Sequence, residues 1–276
     1  MKIAFIAVNY NNSYITINYV NSILQMKNID SYDFSIVIID NNSNLDDYKY
    51  LKSGLEGLKN VKLIKSDKNL GYFGGLNLGI KQIEYDKYDY VLVGNNDIIF
   101  EYDFCNKLAN KKYKDDEIVV VPDLKTLDGV HQNPQFINRP SKLRKLCYSI
   151  YYTAYPFAVI IDFVYNIKRK FDKEKKKVKL EENCRIFWCT GACMLLRPNF
   201  FKKCGLLDDT FFLWGEEAAL THQIEEANGA LLYDSDLFVL HFENASVRKI
   251  ASKNKYKIFK KLITFLYIYC IIYNFY

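Results

Sequence analysis

Residues 91–100 read VLVGNNDIIF, an apolar run that breaks at Asn95, Asn96 and Asp97 and then turns apolar again. Three earlier runs end the same way, at Asn9-Tyr10-Asn11, at Asp40-Asn41-Asn42-Ser43 and at Asp67-Lys68-Asn69. Small amides and carboxylates in such places can hydrogen-bond a polar ligand, and a carboxylate can also hold a divalent cation or take a proton. Two more groups of this kind lie late in the chain, Glu216 with Glu217 in WGEEAALTHQI and the lone His241 in VLHFENAS. The glycine-rich stretch NLGYFGGLNLGI at 69–80 has neither the Lys-Ser/Thr of a Walker loop nor the G-x-G-x-x-G of a dinucleotide fold. Neither of those phosphate-binding chemistries is expected here.

The elements that must position these groups follow from periodicity. Apolar, β-branched runs at 3–8, 35–39, 61–66 and 90–95 predict strands, with a helix between the first two and another over 76–84. That is βαβ patterning, and it predicts an α/β fold with a parallel sheet. In an open parallel sheet ligands bind at the carboxyl ends of the strands, so the four polar clusters should converge on one crevice. EIVVVP at 117–122 predicts a further strand. From Phe187 the core resumes, with ACMLL and LFVLH as strands and EEAALTHQIEEA as a helix closed by Asn228-Gly229.

The chain has 276 residues, half of them hydrophobic, enough for a full core. The formal charge is only +6, and the basic excess sits at 142–145, 168–179 and 248–261. Local contact with anionic surfaces is expected, and a nucleic-acid partner is not. Seven cysteines, an odd number, and an opening MKIAFIAVNYNN too soon polar for a leader predict reduced thiols in the cytoplasm. Cys184, Cys189 and Cys193 lack a second pair or a nearby histidine, which disfavours zinc. Residues 133–183 form a basic, aromatic insertion interrupted by Pro156 and Asp162, and 248–276 a basic then apolar tail. Either an interfacial or partner-binding segment or a helical insertion packed on the core fits the former.

Four segments in order, AVNYNN, IIDNNS, NLGYFGGLNLGI and TGACMLLRPNFFKKCGLLDDTFFLWGEE, resemble the family 2 glycosyltransferases, in particular the rhamnosyltransferase-like members that build bacterial surface polysaccharides such as capsule and O-antigen. The resemblance covers roughly 1–130 and 185–247. It implies the GT-A fold, a Rossmann-like nucleotide-diphospho-sugar transferase fold with a mostly parallel central sheet flanked by helices. On this basis 1–247 is one domain, with a nucleotide-sugar-binding half at 1–130, the insertion at 133–183 and an acceptor-binding half at 185–247; 248–276 is a tail.

The resemblance also implies roles. Asn9 and Asp40, with Asn11, Asn42 and Asn69 beside them, would meet the base and ribose of a nucleotide-diphosphate sugar. Gly71, Gly74 and Gly75 would let the backbone pass close to the nucleotide, with Asn77 opening the following helix. Asn95-Asn96-Asp97 falls where the family has its Asp-x-Asp motif, so Asp97 would hold Mn²⁺ or Mg²⁺ and Asn95 or Asn96 would bond the ribose. His241 matches a third contact to metal or phosphate. Glu217 occupies the place of the catalytic base, with Glu216 beside it, while Ala219 and Gln223 replace an aspartate and an arginine of the family segment. The implied activity is metal-dependent, inverting sugar transfer to a lipid-linked or oligosaccharide acceptor, with peripheral contact at the inner face of the membrane. Plain structural alternatives stand beside each role: a turn cap at Asp40, a tight turn at the glycines, a strand-end turn at Asp97, a satisfied core histidine at 241, a helix start at Glu216-Glu217. Asn95 and Ala219 also leave open a nucleotide-sugar-binding protein without catalysis.

Overall fold

The computed structural model describes residues 1–141, 150, 151, 157, 180, 182–213 and 215–242. The chain falls into two compact units, Met1–Ile137 with Lys179–Glu243, and Asn138–Val178 with Asn244–Tyr276. The first unit is described below. The basic stretches at 142–145, 168–179 and 248–261 lie outside the described residues, as do Trp214 and the tail.

In chain order the elements are β1 (Lys2–Asn9), α1 (Ser13–Leu24), β2 (Asp33–Asp40), α2 (Leu45–Leu55), β3 (Val61–Lys65), α3 (Tyr72–Ile80), β4 (Tyr90–Asn95), β5 (Ile98–Phe100), α4 (Phe104–Ala109), β6 (Glu117–Thr126), β7 (Cys184–Ile186), β8 (Cys193–Leu196), α5 (Pro198–Cys204), α6 (Glu216–Glu226) and β9 (Ala230–His241). The strands make one sheet in the order β3-β2-β1-β4-β8-β6-β9-β5, with β7 on β9. The β1–β4 run is parallel, as the βαβ patterning predicts. Beyond β4 the sheet is mixed, because β8 enters antiparallel to both β4 and β6, and β5 and β7 antiparallel to β9. The parallel pairing expected from the sequence holds through β3-β2-β1-β4 and returns between β6 and β9, with β8, β5 and β7 as the antiparallel strands; β5 and β7 are three-residue strands, too short for periodicity to reveal.

Alternation along β1 divides the core into two layers. Ile3, Phe5 and Ala7 face α1, α2 and α4, where Tyr19, Ile23, Leu51 and Phe104 are buried. Ala4 and Ile6 face α3, α5 and α6, where Phe73, Leu76, Phe200 and Leu220 are buried. Each such large apolar side chain contributes about 1.5–3 kcal/mol when fully buried.

Helix α3 starts four residues earlier than the apolar pattern predicts, and its glycines show why. A Cβ at Gly75 would lie 2.9 Å from Val8 Cγ2, and one at Gly79 would lie 2.4 Å from Ile6 Cγ2. Four residues apart on one helical face, they let α3 lie directly on β1. Helix α2 is set by its N-terminus: Asn44 accepts a hydrogen bond from the Asp47 N–H at 2.9 Å, and Asp46 and Asp47 occupy the first turn, where the helix dipole favours anions. No helix among the described residues is long and apolar enough to cross a membrane.

Candidate active site

The carboxyl ends of β1, β2 and β4 lie side by side, with Asn9 opposite Asp40 and Val8 opposite Asn95. Asn9 and Asp40 are both fully buried. The Asn9 amide donates to Asp40 Oδ1 (3.0 Å), Ser43 Oγ (3.1 Å) and Asp47 Oδ2 (2.9 Å), and its oxygen accepts from Thr16 Oγ1 (2.7 Å). Both amide hydrogens are committed within the protein, so Asn9 ties the strand ends together rather than meeting a ligand directly. The network continues through Thr16 to the amide of Asn96, which also donates to Asn12 Oδ1; both bonds are 2.6 Å. Asn96 is thus turned toward α1 and buried, which leaves Asn95 and Asp97 facing the other way. Asn11 and Asn42 are exposed at the rim with positive φ of 54° and 65°, a conformation asparagine tolerates. Asn11 Oδ1 accepts from the Asn44 N–H and amide, and its own N–H donates to Ser43 Oγ, which ties the β1 end to the α2 start.

The glycine-rich stretch is held by a residue that the sequence did not single out. Buried Asn41 donates to Asn69 Oδ1 and Gly71 O, each 3.0 Å, and accepts from the Leu70 N–H at 2.8 Å. Gly71 has φ 75°, and a Cβ there would sit 2.3 Å from Phe212 O, so only glycine fits. Gly75, by contrast, gives up its side chain to Val8, and Gly74 is the looser of the pair. Asn77 does not open a helix: it is the sixth residue of α3, buried, and clamps the 207–209 loop through Leu207 O (2.8 Å), the Leu207 N–H (3.1 Å) and Asp209 Oδ2 (3.2 Å). Its expected place rested on a helix starting at 76, and glycine packing moved that start.

Past β4 the chain turns into β5, which pairs antiparallel with β9 so that Ile98 faces His241. This brings His241 Nε2 to 3.1 Å from Asp97 Oδ1 and 3.4 Å from Asn95 Nδ2. Nδ1 lies 2.6 Å from Gln132 Oε1. An amide oxygen only accepts, so Nδ1 carries the proton. Nε2 then faces the Asp97 carboxylate, and the two atoms together could hold a cation. Two ligands in adjacent positions of an octahedral ion, each about 2.1 Å from it, lie about 3.0 Å apart. The Asp97–His241 spacing therefore fits a divalent cation. Among the described residues no group of three or more His, Cys, Asp or Glu side chains gathers as a cation site, so ligand oxygens and water would complete the shell.

The opposite wall comes from residues 189–192 and α6. Ala192 O accepts from the Asn95 N–H at 2.9 Å, and Gly191 O accepts from the Tyr72 hydroxyl at 2.8 Å. The Gly191 N–H donates to Glu217 Oε1 at 3.3 Å. Burial raises the Glu217 carboxyl above the ordinary carboxylate range, against the opposing pull of hydrogen bonds from its own N–H and that of Gly191. Glu217 keeps part of its surface open, whereas Glu216 is only 4% exposed and turned inward. Adjacent helical residues point about 100° apart, which accounts for the difference. Burial first, then the nearby negative charges led by Glu217, raises the Tyr72 hydroxyl well above its ordinary value.

Of the residues singled out from sequence, Asn95, Asp97 and His241 gather at one point and Glu217 bonds the 191–192 turn beside them; Asp40 is fully buried, its Oδ1 accepting from Asn9 and its Oδ2 from the Ser43 N–H as in a turn cap; Asn9, Asn69, Asn77 and Asn96 are bonded within the protein, and Asn11 and Asn42 are exposed. Asp47, Tyr72, Gln132 and Gly191 were missed, and Asn41 was read only as part of its strand-end cluster. Of the four missed, Asp47 had a signal, the Asn-x-x-Asp spacing of a helix start.

Residues 5–205 match the family model Glycosyl transferase family 2. Rhamnosyltransferase WbbL of Escherichia coli strain K12 is 22% identical over 241 residues, 84% of this chain and 81% of that protein. Two solved structures share the architecture: GalNAc-T7, crystallised with UDP, GalNAc and Mn²⁺ (TM-score 0.58, 17% identity, 89% of this chain and 44% of that one), and residues 1–349 of S. aureus TarS (0.55, 14%, 88% and 60%). The chain spans less than two thirds of either of these two structures.

Proposed function

Because this chain belongs to glycosyl transferase family 2 and has the GT-A fold, we propose that it is an inverting glycosyltransferase that moves a sugar from a nucleotide-diphosphate donor to a glycan hydroxyl in the synthesis of a bacterial surface polysaccharide. The observation that carries this reading is the placement of Glu217, which accepts from the Gly191 N–H one residue before the carbonyl that holds Asn95 beside the Asp97–His241 pair.

The exposed Asn11 and Asn42 receive the nucleoside, above the buried Asn9–Asp40 pair that ties the strand ends together. Asp97 and His241 would hold Mn²⁺ or Mg²⁺, with Gln132 fixing the imidazole so that Nε2 presents its lone pair. Such an ion would supply positive charge toward the leaving diphosphate. Glu217 takes the proton of the acceptor hydroxyl. That oxygen attacks the anomeric carbon from the face opposite the diphosphate, the carbon–oxygen bond to phosphate breaks, and the configuration inverts in a single displacement. Burial suits Glu217 to this task, since a base works best with a pKa near the operating pH. Residues 1–130 form the donor half and 185–247 the acceptor half. The basic, aromatic stretches at 133–183 and 248–276 suit an anionic membrane face, where a lipid-linked acceptor is presented.

The test is turnover of a panel of UDP-, dTDP- and GDP-sugars with and without Mn²⁺, with the anomeric configuration of the product read by NMR. Metal-dependent turnover with inversion is expected. Donor binding without turnover of any donor, in the presence of acceptor, would favour a sugar-nucleotide-binding protein without catalysis.

A further inference from the structure

We propose that Tyr72 is a positioning residue for Glu217: its hydroxyl anchors the Gly191 carbonyl, and through that turn aims the Gly191 N–H at Glu217 Oε1, leaving Oε2 to take the acceptor proton. The inference rests on the reading of Glu217 as the base.

The geometry is a relay of two hydrogen bonds through one residue. Tyr72 Oη donates to Gly191 O at 2.8 Å, and Gly191 N donates to Glu217 Oε1 at 3.3 Å. The next carbonyl, Ala192 O, is held from the other side by the Asn95 N–H at 2.9 Å. The 191–192 turn is thus pinned by α3 on one side and by the end of β4 on the other, and it presents the Gly191 N–H to Glu217. Gly191 leaves little slack there, because a Cβ on it would lie 3.3 Å from both Cγ and Oε1 of Glu217. Tyr72 itself is fixed by the helix start: Gly71 precedes it, and its N–H donates to Phe212 O at 3.1 Å. The titratable groups that feel the charge of Glu217 are Tyr72 from α3 and Cys189 from the strand lead-in, and Glu216 is its neighbour on its own helix. Burial first, then the negative charge of Glu217, keeps both the Tyr72 hydroxyl and the Cys189 thiol protonated through neutral pH. A pH-dependent change in a Tyr72 variant therefore reports on another group.

The Gly191 bond lowers the Glu217 pKa, so loosening it should raise that pKa and carry the acid limb of kcat/KM to higher pH. Tyr72→Phe keeps the ring and removes only the anchor. With the donor that the enzyme turns over, we expect kcat reduced roughly 10-fold, the acid limb displaced upward and nucleotide affinity in Mn²⁺ unchanged. Gly191→Ala, which crowds Glu217 while leaving Tyr72 intact, should displace the limb in the same direction. In a Glu217→Gln background Tyr72→Phe should have no further effect on turnover. An unmoved pH profile in a folded Tyr72→Phe, or an equal loss in both backgrounds, overturns the proposal and leaves Glu217 as the base. Near-normal turnover of Glu217→Gln alone removes the base reading, and the proposal with it.

Discussion

Asp97 and His241 stand 144 positions apart in the chain and 3.1 Å apart in the fold, carboxylate Oδ1 against imidazole Nε2. The antiparallel register of β5 on β9 makes the contact, and Gln132 determines which imidazole nitrogen takes part.

Removing the carboxylate should therefore separate metal binding from folding. Asp97 is a partly exposed strand-end residue and contributes little to the core. Asp97→Ala is expected to lose most Mn²⁺-dependent affinity for a nucleoside diphosphate, by roughly 100-fold, with an unchanged melting temperature. Isothermal titration with and without Mn²⁺ measures it; equal affinities for variant and parent would disprove the assignment.

Gln132 touches neither the donor nor the metal in this scheme, yet it sets the tautomer of His241. Gln132→Leu keeps the bulk and loses the acceptor. Mn²⁺ affinity, followed by paramagnetic resonance in the presence of nucleoside diphosphate, should fall about 10–100-fold. Parent-like binding would mean that the imidazole is oriented by something else.

Glu216 and Glu217 should separate cleanly. Glu217→Gln keeps size and hydrogen bonding but not basicity, so turnover should drop roughly 10²–10⁴-fold while donor affinity holds. Glu216→Gln, in a buried position, is expected to act on melting temperature more than on turnover. The reverse pattern in steady-state kinetics and thermal melts would exchange their roles.

Asp47 predicts an acid sensitivity. Burial would raise its carboxyl, but hydrogen bonds from the Ser13 N–H and from the Asn9, Ser13 and Ser43 side chains outweigh burial and hold it below the usual range. A carboxyl whose folded pKa is depressed stabilises fully above its unfolded value, about 3.9, and loses that contribution as pH falls through the lower folded value. Asp47→Ala should thus be less stable at pH 7, by about 1–3 kcal/mol, and lose stability less steeply below about pH 4. Urea unfolding across that range checks both; parallel curves would show that Asp47 has the same pKa folded and unfolded.

Local order was legible in the sequence where local physics creates it. The apolar runs at 3–8, 35–39 and 90–95 became parallel strands because a β-branched run buried on both faces has few other stable states, and the polar clusters ending them had to meet at one edge. Residue type alone marked Asp40, Asp97, His241 and Glu217 as able to do chemistry. Which of their neighbours face inward was decided by the tertiary structure. Asn9 and Asn96 brace the network, and Asn77 clamps a loop, because hydrogen-bond partners more than 30 positions from Asn9, 80 or more from Asn96 and about 130 from Asn77 reach them. The same holds for Gln132 and Gly191: an amide beside a histidine, or a glycine in a turn, carries no signature until β9 folds back on β5 and α6, docked on β9, brings Glu217 to Gly191. A side chain's polarity is a local property, whereas its partner is set by the packing of the whole sheet.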